Sequence, residues 1–239
     1  VRNFLVKTVV SVLVVAGIVV GGSSFVLPTL VSSQVEDRLQ GALHPEAQSM
    51  RIESSPGFKL AMGHIDSFRG YVDGVALGKL KVQRLAFDLR DIQISPMELF
   101  ADQRLHFTSF GQGHIEGIIH QDDLKRYIEH YLSNSSAKGL TIETVEISDH
   151  GVLMGGRIDV GGFLSGKVTI QGRLEMDGNT LYFTTEKLSI GGATLNRLSS
   201  GAVKSIPLYD FGEFPIPVRL DRVETGREEI HVFVHPVAQ

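Results

Sequence analysis

The chain has 239 residues, a net charge of -4 at pH 7 and no cysteine. That length suffices for one sizeable domain, or two small ones, after a short leader. The composition excludes disulfides, a thiol nucleophile and acylation on cysteine, and an acidic balance argues against a nucleic-acid partner, which needs a basic face.

The first element is an uncharged run from Thr8 to Val35, opening TVVSVLVVAGIVVGG. A bilayer core is spanned by about 20 apolar residues in a helix. Arg2 and Lys7 precede the run, and Glu36, Asp37 and Arg38 follow it. Positive charge on the short side places the N-terminus in the cytoplasm. The expectation is a single-pass cell-membrane protein: residues 1–33 form a cytoplasmic stub and anchor, and 34–239 form one extracytoplasmic domain. The competing reading is a cleaved secretory signal with Gly22–Ser24 as the cut, which leaves the domain on the same side. Setting Arg2 and Lys7 aside takes the net charge to -6, so bulk charge does not hold the domain on anionic lipid. A cysteine-free exported domain suits a bacterial cell envelope.

From Pro28 the pattern becomes amphipathic. Leu30, Val31, Val35, Leu39, Ala42 and Leu43 form one stripe, which predicts a helix ending before Pro45. Strands are predicted at 51–55, 58–62, 71–77 and 80–95. In the last of these the period of two slips near Gln83–Arg84 and Arg90–Asp91, which predicts β-bulges and a bent strand. A short helical turn is expected at Ser95–Phe100, then strands at 105–110 and 114–119. Leu124, Tyr127, Ile128, Tyr131 and Leu132 share a helical face, with Asp122 and Asp123 at the dipole-favoured start. Residues 133–139 are polar and read as a linker.

After Gly139 strands dominate, at 140–147, 152–154, 157–160, 167–176 (with Val168, Ile170, Leu174 and Met176 inward) and 181–190. Asp177-Gly178-Asn179 makes a hairpin turn. A third helix is expected at Ala193–Ser205, weakened by Gly201 and several serines, and strands follow at 218–224 and 229–234. The order predicts an α+β fold, with a highly curved antiparallel sheet wrapped around two or three helices.

Motifs for chemistry are absent. There is no Gly-rich phosphate loop, HExxH or Gly-x-Ser-x-Gly. His231 and His235 stand four apart on one predicted strand, but no further metal ligand is marked nearby. The expectation is a non-enzyme with no metal and no cofactor. Phenylalanines at 58, 68, 87, 107, 110, 163, 183 and 211 punctuate the strands. They belong either to a filled core or to an apolar groove that takes acyl chains.

Several stretches carry a family likeness in their order and spacing. They are VEDRL at Val35–Leu39, GHIDSFRGYVDGV at Gly63–Val75, KLKVQRLAFDLRDIQIS at Lys79–Ser95, the Gln121–Leu132 helix, GKVTIQGRLEM at Gly166–Met176 and FPIPVRLDRVE at Phe214–Glu224. With the anchor, this layout resembles the LmeA-like bacterial phospholipid-binding family, formerly a domain of unknown function and named for a lipomannan elongation factor. The resemblance implies a tubular lipid-binding (TULIP-like) fold and a phospholipid as partner. No site motif carries over residue by residue.

Two functions follow. The first is a membrane-anchored lipid-binding protein that holds a phospholipid or similar lipid for envelope lipid handling. Leu39, Leu43, Leu85, Phe87, Leu89, Leu124 and Ile128 are the candidate lining. The alternative is an envelope scaffold or interaction protein with a fully packed interior and protein partners yet to be identified.

Overall fold

A computed structural model of the protein describes residues 47–56, 58–95, 97, 107–135, 139–160, 164–195, 201–214 and 216–237. The apolar run at 8–35, the helix at 28–43 with Leu39 and Leu43, and most of the turn at 95–100 lie outside these ranges. No helix among the described residues is long and apolar enough to cross a membrane.

The chain opens with β1 (Ala47–Glu53), the one-turn helix α1 (Phe58–Ala61), β2 (His64–Leu77), β3 (Leu80–Ile94) and β4 (Phe107–His120). Helix α2 (Gln121–Ser133) follows. Then come β5 (Leu140–Ser148), β6 (Gly151–Val160), β7 (Leu164–Asp177), β8 (Thr180–Ile190), β9 (Ala193–Leu195), α3 (Gly201–Lys204) and β10 (Ser205–Asp210). A 3-10 turn at Phe211–Glu213 leads to β11 (Val218–Thr225) and β12 (Glu229–Pro236). The fold is α+β and mostly antiparallel sheet, with one helix longer than a turn among the described residues.

The strands form two sheets, where a single curved one was expected. The first runs β1-β2-β3-β4-β12-β11, the second β10-β8-β7-β6-β5 with β9 beside β8. The split arises because β11 and β12 return past the whole second sheet, and β12 pairs with β4. Two shorter expectations also fail. Phe58–Met62 is helix and turn, since Met62 N–H bonds back to the Phe58 and Lys59 carbonyls; a short apolar run does not by itself separate helix from strand. Of the helix expected at Ala193–Ser205, the described residues give strand at Ala193–Leu195 and helix at Gly201–Lys204, which is α3. Gly191 and Gly192, both at positive φ (57° and 88°), fold the chain back instead, so that β9 pairs with β8.

The predicted slips in β3 are real, but they are not bulges. Buried positions change phase at Gln83–Arg84 and at Arg90–Asp91. β2 changes phase opposite both, at Gly74 and Asp66, so the β2–β3 register is the same on either side. Positive φ at Gly74 (69°) and Asp91 (51°) marks the two kinks. The two strands predicted at 105–110 and 114–119 are one continuous β4. Gly113 lets it pass, since its φ is 124° and a Cβ there would lie 2.0 Å from the Asp88 carbonyl oxygen. Met176, expected inward, is 46% exposed beside the β7–β8 turn.

Two junctions fix how the sheets sit. Asn179, in the β7–β8 turn, donates to the Val218 carbonyl (2.9 Å) and accepts from Leu220 N–H (2.8 Å). At the other end of β11, Glu228 N–H bonds the Ile147 carbonyl (3.2 Å). The stretch of the second sheet between Asn179 and the Ile147 level therefore lies against β11 and β12. Each sheet runs past the other in opposite directions. From Gly172, level with Ile147 through Val152, β7 continues to Leu164, about 26 Å at 3.3 Å per residue. Helix α2 packs on β5, β3, β4 and β10 and buries Leu124, Ile128 and Leu132. Its Tyr127 hydroxyl donates to the Pro207 carbonyl at 2.5 Å, and burial raises the pKa of that phenol.

Candidate lipid-binding face

The inner face of the first sheet is built by register. Leu220, Val234, Ile115, Phe87, Gly70 and Met50 form one cross-strand row, level with the Asn179 junction. Beyond it come Ile52–Phe68–Leu89, then Ile65–Ile92–Phe110, then Ile94–Phe107. These rows extend about 23 Å past the tip of the second sheet, from Phe87 to Ile94. All their side chains are apolar. Phe68 and Phe87 meet at 5.7 Å between ring centroids, and Phe107 stacks on Phe110 at 5.3 Å. Met50, Phe107 and Phe110 are only partly buried against the core. The kink at Asp91 crosses these rows and bends the face.

The opposite face of the same sheet is polar. Arg84 is held by Asp73 at 2.7 and 3.1 Å, and this hydrogen bond raises the arginine's pKa. Arg69 bonds Asp88, and His231 Nδ1 lies 2.7 Å from Glu116. Its aromatic groups are capped by arginine: the Arg222 guanidinium lies 3.7 Å over Phe233 and that of Arg84 4.5 Å over Tyr71. The sheet thus separates a wet side from a greasy side along its whole length.

Among the described residues the space between the sheets is narrow where its lining is apolar. The apolar space lined by Leu80, Leu85, Ile115, Leu181, Phe211 and Phe214 offers about 10 Å³ to the centre of a water molecule, which is about one water. A polar hollow of about 560 Å³ opens at the start of α2, lined among others by Asp73, Arg84, Asp123 and Arg126. Its charges answer one another: Arg84 pairs with Asp73 and Arg126 with Asp123.

The lining residues expected from sequence fall into three groups. Leu85, Phe87 and Leu89 lie consecutively on the inner face of β3, each 7% exposed or less. Leu124 and Ile128 are fully buried on one stripe of α2. Leu39 and Leu43 lie outside the described residues. Sequence reasoning missed Met50, Ile52, Phe68, Phe107 and Phe110 as members of the same face as Phe87 and Leu89. The phenylalanines were visible, but which strand pairs with which was not. His231 and His235 do not converge on a common centre: each meets a carboxylate, Glu116 and Asp221. Among the described residues no group of three or more His, Cys, Asp or Glu is placed to hold a metal.

No curated protein and no solved structure matches the chain. A family described as LmeA-like phospholipid-binding matches residues 22–234, nearly the whole length and every strand named above except the last two residues of β12. The chain belongs to the LmeA-like phospholipid-binding family.

Proposed function

We propose that the chain is a membrane-anchored, extracytoplasmic protein that lays a phospholipid acyl chain along the overhanging inner face of the first sheet and handles lipid in the envelope. The observation that carries this is the run of apolar rows from Phe87 to Phe107 beyond the reach of the second sheet, in a member of a phospholipid-binding family. The overhang, about 23 Å long, is comparable with an extended acyl chain and keeps it from water, where each exposed CH2 would cost about 0.8 kcal/mol. Leu124 and Ile128 give the second sheet's overhang its own apolar cover. Two sheets with opposed apolar overhangs also support a tubular lipid-binding reading of the fold. The uncharged run at 8–35 is the anchor that keeps the face near the bilayer, with the N-terminus in the cytoplasm. The protein binds its lipid without altering it and needs no cofactor.

The test is native mass spectrometry with lipid extraction on the full chain released from detergent. A stoichiometric phospholipid adduct is expected. Phe110→Asp, at a half-buried position of the overhang, should abolish it without changing the circular dichroism spectrum. A folded protein that carries no lipid and takes none from vesicles refutes the proposal. One observation favours a second reading, an envelope scaffold: the filled space between the sheets, about 10 Å³. That reading gains if the protein comes away bare.

A further inference from the structure

Six large apolar side chains are notably exposed among the described residues, and three stand at one end of the molecule. Phe58 (41%) and Met62 (66%) belong to α1 and its turn, and Met97 (81%) follows β3. A backbone bond ties these segments together, from Ile94 N–H to the Gly63 carbonyl at 2.8 Å. Met62 is next to one partner of that bond, and Met97 is three residues from the other. The same end carries the last rows of the inner face, Ile65–Ile92–Phe110 and Ile94–Phe107. The exposed cluster is thus the outer lip of the apolar face.

Among the described residues of this lip the charged groups meet one another: His64 Nε2 lies 3.1 Å from Asp66 and 4.0 Å from Asp91. Lys59 Nζ meets Asp66 at 3.0 Å. Asp66 also accepts from Ser55 N–H at 2.6 Å, and that backbone bond is the main cause of its lowered pKa. An ion pair of this kind gives a surface no strong pull on either sign of lipid headgroup. Side chains of this size exposed together mark an interaction site.

Resting on the proposed lipid-binding reading, we infer that this lip is the end of the protein that enters a phospholipid bilayer. Phe58, Met62 and Met97 sit at the headgroup–acyl boundary, and the partly buried Phe107 and Phe110 place the edge of the inner face beside the lipid phase. An acyl chain then passes from bilayer to protein without crossing water. That crossing would otherwise expose every CH2 at about 0.8 kcal/mol. Lys59 suits the same placement, with its stem along apolar surface and its ammonium at the interface. Because insertion is apolar, the contact should be insensitive to salt, unlike one held by charge.

The chain contains no tryptophan, so single-tryptophan variants report unambiguously. Phe58→Trp, Met62→Trp and Met97→Trp place the probe at the lip. Leu153→Trp, on β6 and 42% exposed, is the reference. Each full-length variant is reconstituted into phosphatidylethanolamine–phosphatidylglycerol vesicles with and without acyl-brominated phosphatidylcholine. Emission at the three lip positions should be blue-shifted and strongly quenched by the brominated lipid, equally in low and high salt, whereas Leu153→Trp should show neither effect. All four sites are exposed, and circular dichroism checks each variant's fold. Lip quenching no greater than at Leu153 overturns the inference. Phospholipid retained after extraction is measured on the same samples. Retained lipid without lip quenching refutes the docking end and leaves the lipid site standing. Lip quenching without retained lipid supports docking and refutes the lipid site.

Discussion

Replacing Asn179 by alanine tests the junction that sets the two overhangs. Its side-chain amide makes two hydrogen bonds to one edge strand, donating to Val218 O at 2.9 Å and accepting from Leu220 N–H at 2.8 Å. Both are partly buried, and Val218 and Leu220 are themselves 5% and 7% exposed. A typical intramolecular bond contributes about 1 kcal/mol net, so Asn179→Ala should cost about 2 kcal/mol. For a domain of this size that lowers Tm by about 4–8 °C. Backbone strain adds nothing, because the positive φ of the turn (59°) belongs to Gly178. The inward bonds of β11 to β12 remain. Loss of stability should therefore be accompanied by faster exchange of the Leu220 amide, with little change at Ile230 on the far strand. Thermal unfolding by circular dichroism and amide hydrogen exchange read the two effects. An unchanged Tm with Leu220 still protected would show that water replaces the side chain at no cost, and that the sheets are aligned by core packing alone.

Gly172→Ala should cost about 1–3 kcal/mol by overpacking: its Cβ would lie 2.3 Å from the Thr184 carbonyl oxygen and 2.5 Å from the Phe183 ring. Gly226→Ala, with nothing within 4 Å, should be neutral or slightly stabilising by urea unfolding. Burial, followed by the nearby Glu213 and Asp210 carboxylates, pushes the Tyr209 phenol up to about 12. The unfolded chain loses that proton from about pH 10, so the stability it contributes is present below pH 10 and falls as pH rises toward 12. Tyr209→Phe should flatten this alkaline loss in denaturant titrations. An identical slope in the variant would place the loss on other groups.

The elements with strong periodicity were legible in the sequence. The stripe of α2 from Leu124 to Leu132 and the phase slips of β3 appear where the pattern put them. The slips were misread as bulges because a bulge and a matched kink leave the same trace on one strand; only the partner, with Gly74 and Asp66 opposite, distinguishes them. At Ala193–Leu195 strand stands in place of the expected helix because a Gly-Gly turn outweighs a weak apolar spacing. The two-sheet split was not legible, since it depends on β12 pairing with β4 across more than a hundred residues. The candidate site shared that limit. Leu85, Phe87 and Leu89 were found by alternation along one strand, but their neighbours Phe68 and Phe110 belong to the same face only through cross-strand register.

A face that takes an acyl chain from a bilayer gains little from the hydrophobic effect, because the chain leaves one hydrocarbon phase for another. Discrimination between lipids then depends on the few polar atoms within the apolar surface. Gln48 carries such an atom one row short of the overhang. It pairs with Val72 on the inner side of β1, in a row with Leu85, and its Oε1 is the one buried side-chain polar atom among the described residues without a hydrogen-bond partner. Leaving a buried acceptor unsatisfied costs about 1–3 kcal/mol. Methionine has nearly the same length and shape without the need for a donor. Gln48→Met should therefore stabilise the lipid-free protein by about 1 kcal/mol or more, raising Tm by about 2–4 °C. The comparison is made on delipidated full-length protein by calorimetry, with retained phospholipid measured before delipidation. A lower Tm in the variant would mean that the amide is engaged in the fold after all, and the surface along Val72 and Leu85 could no longer be treated as purely apolar.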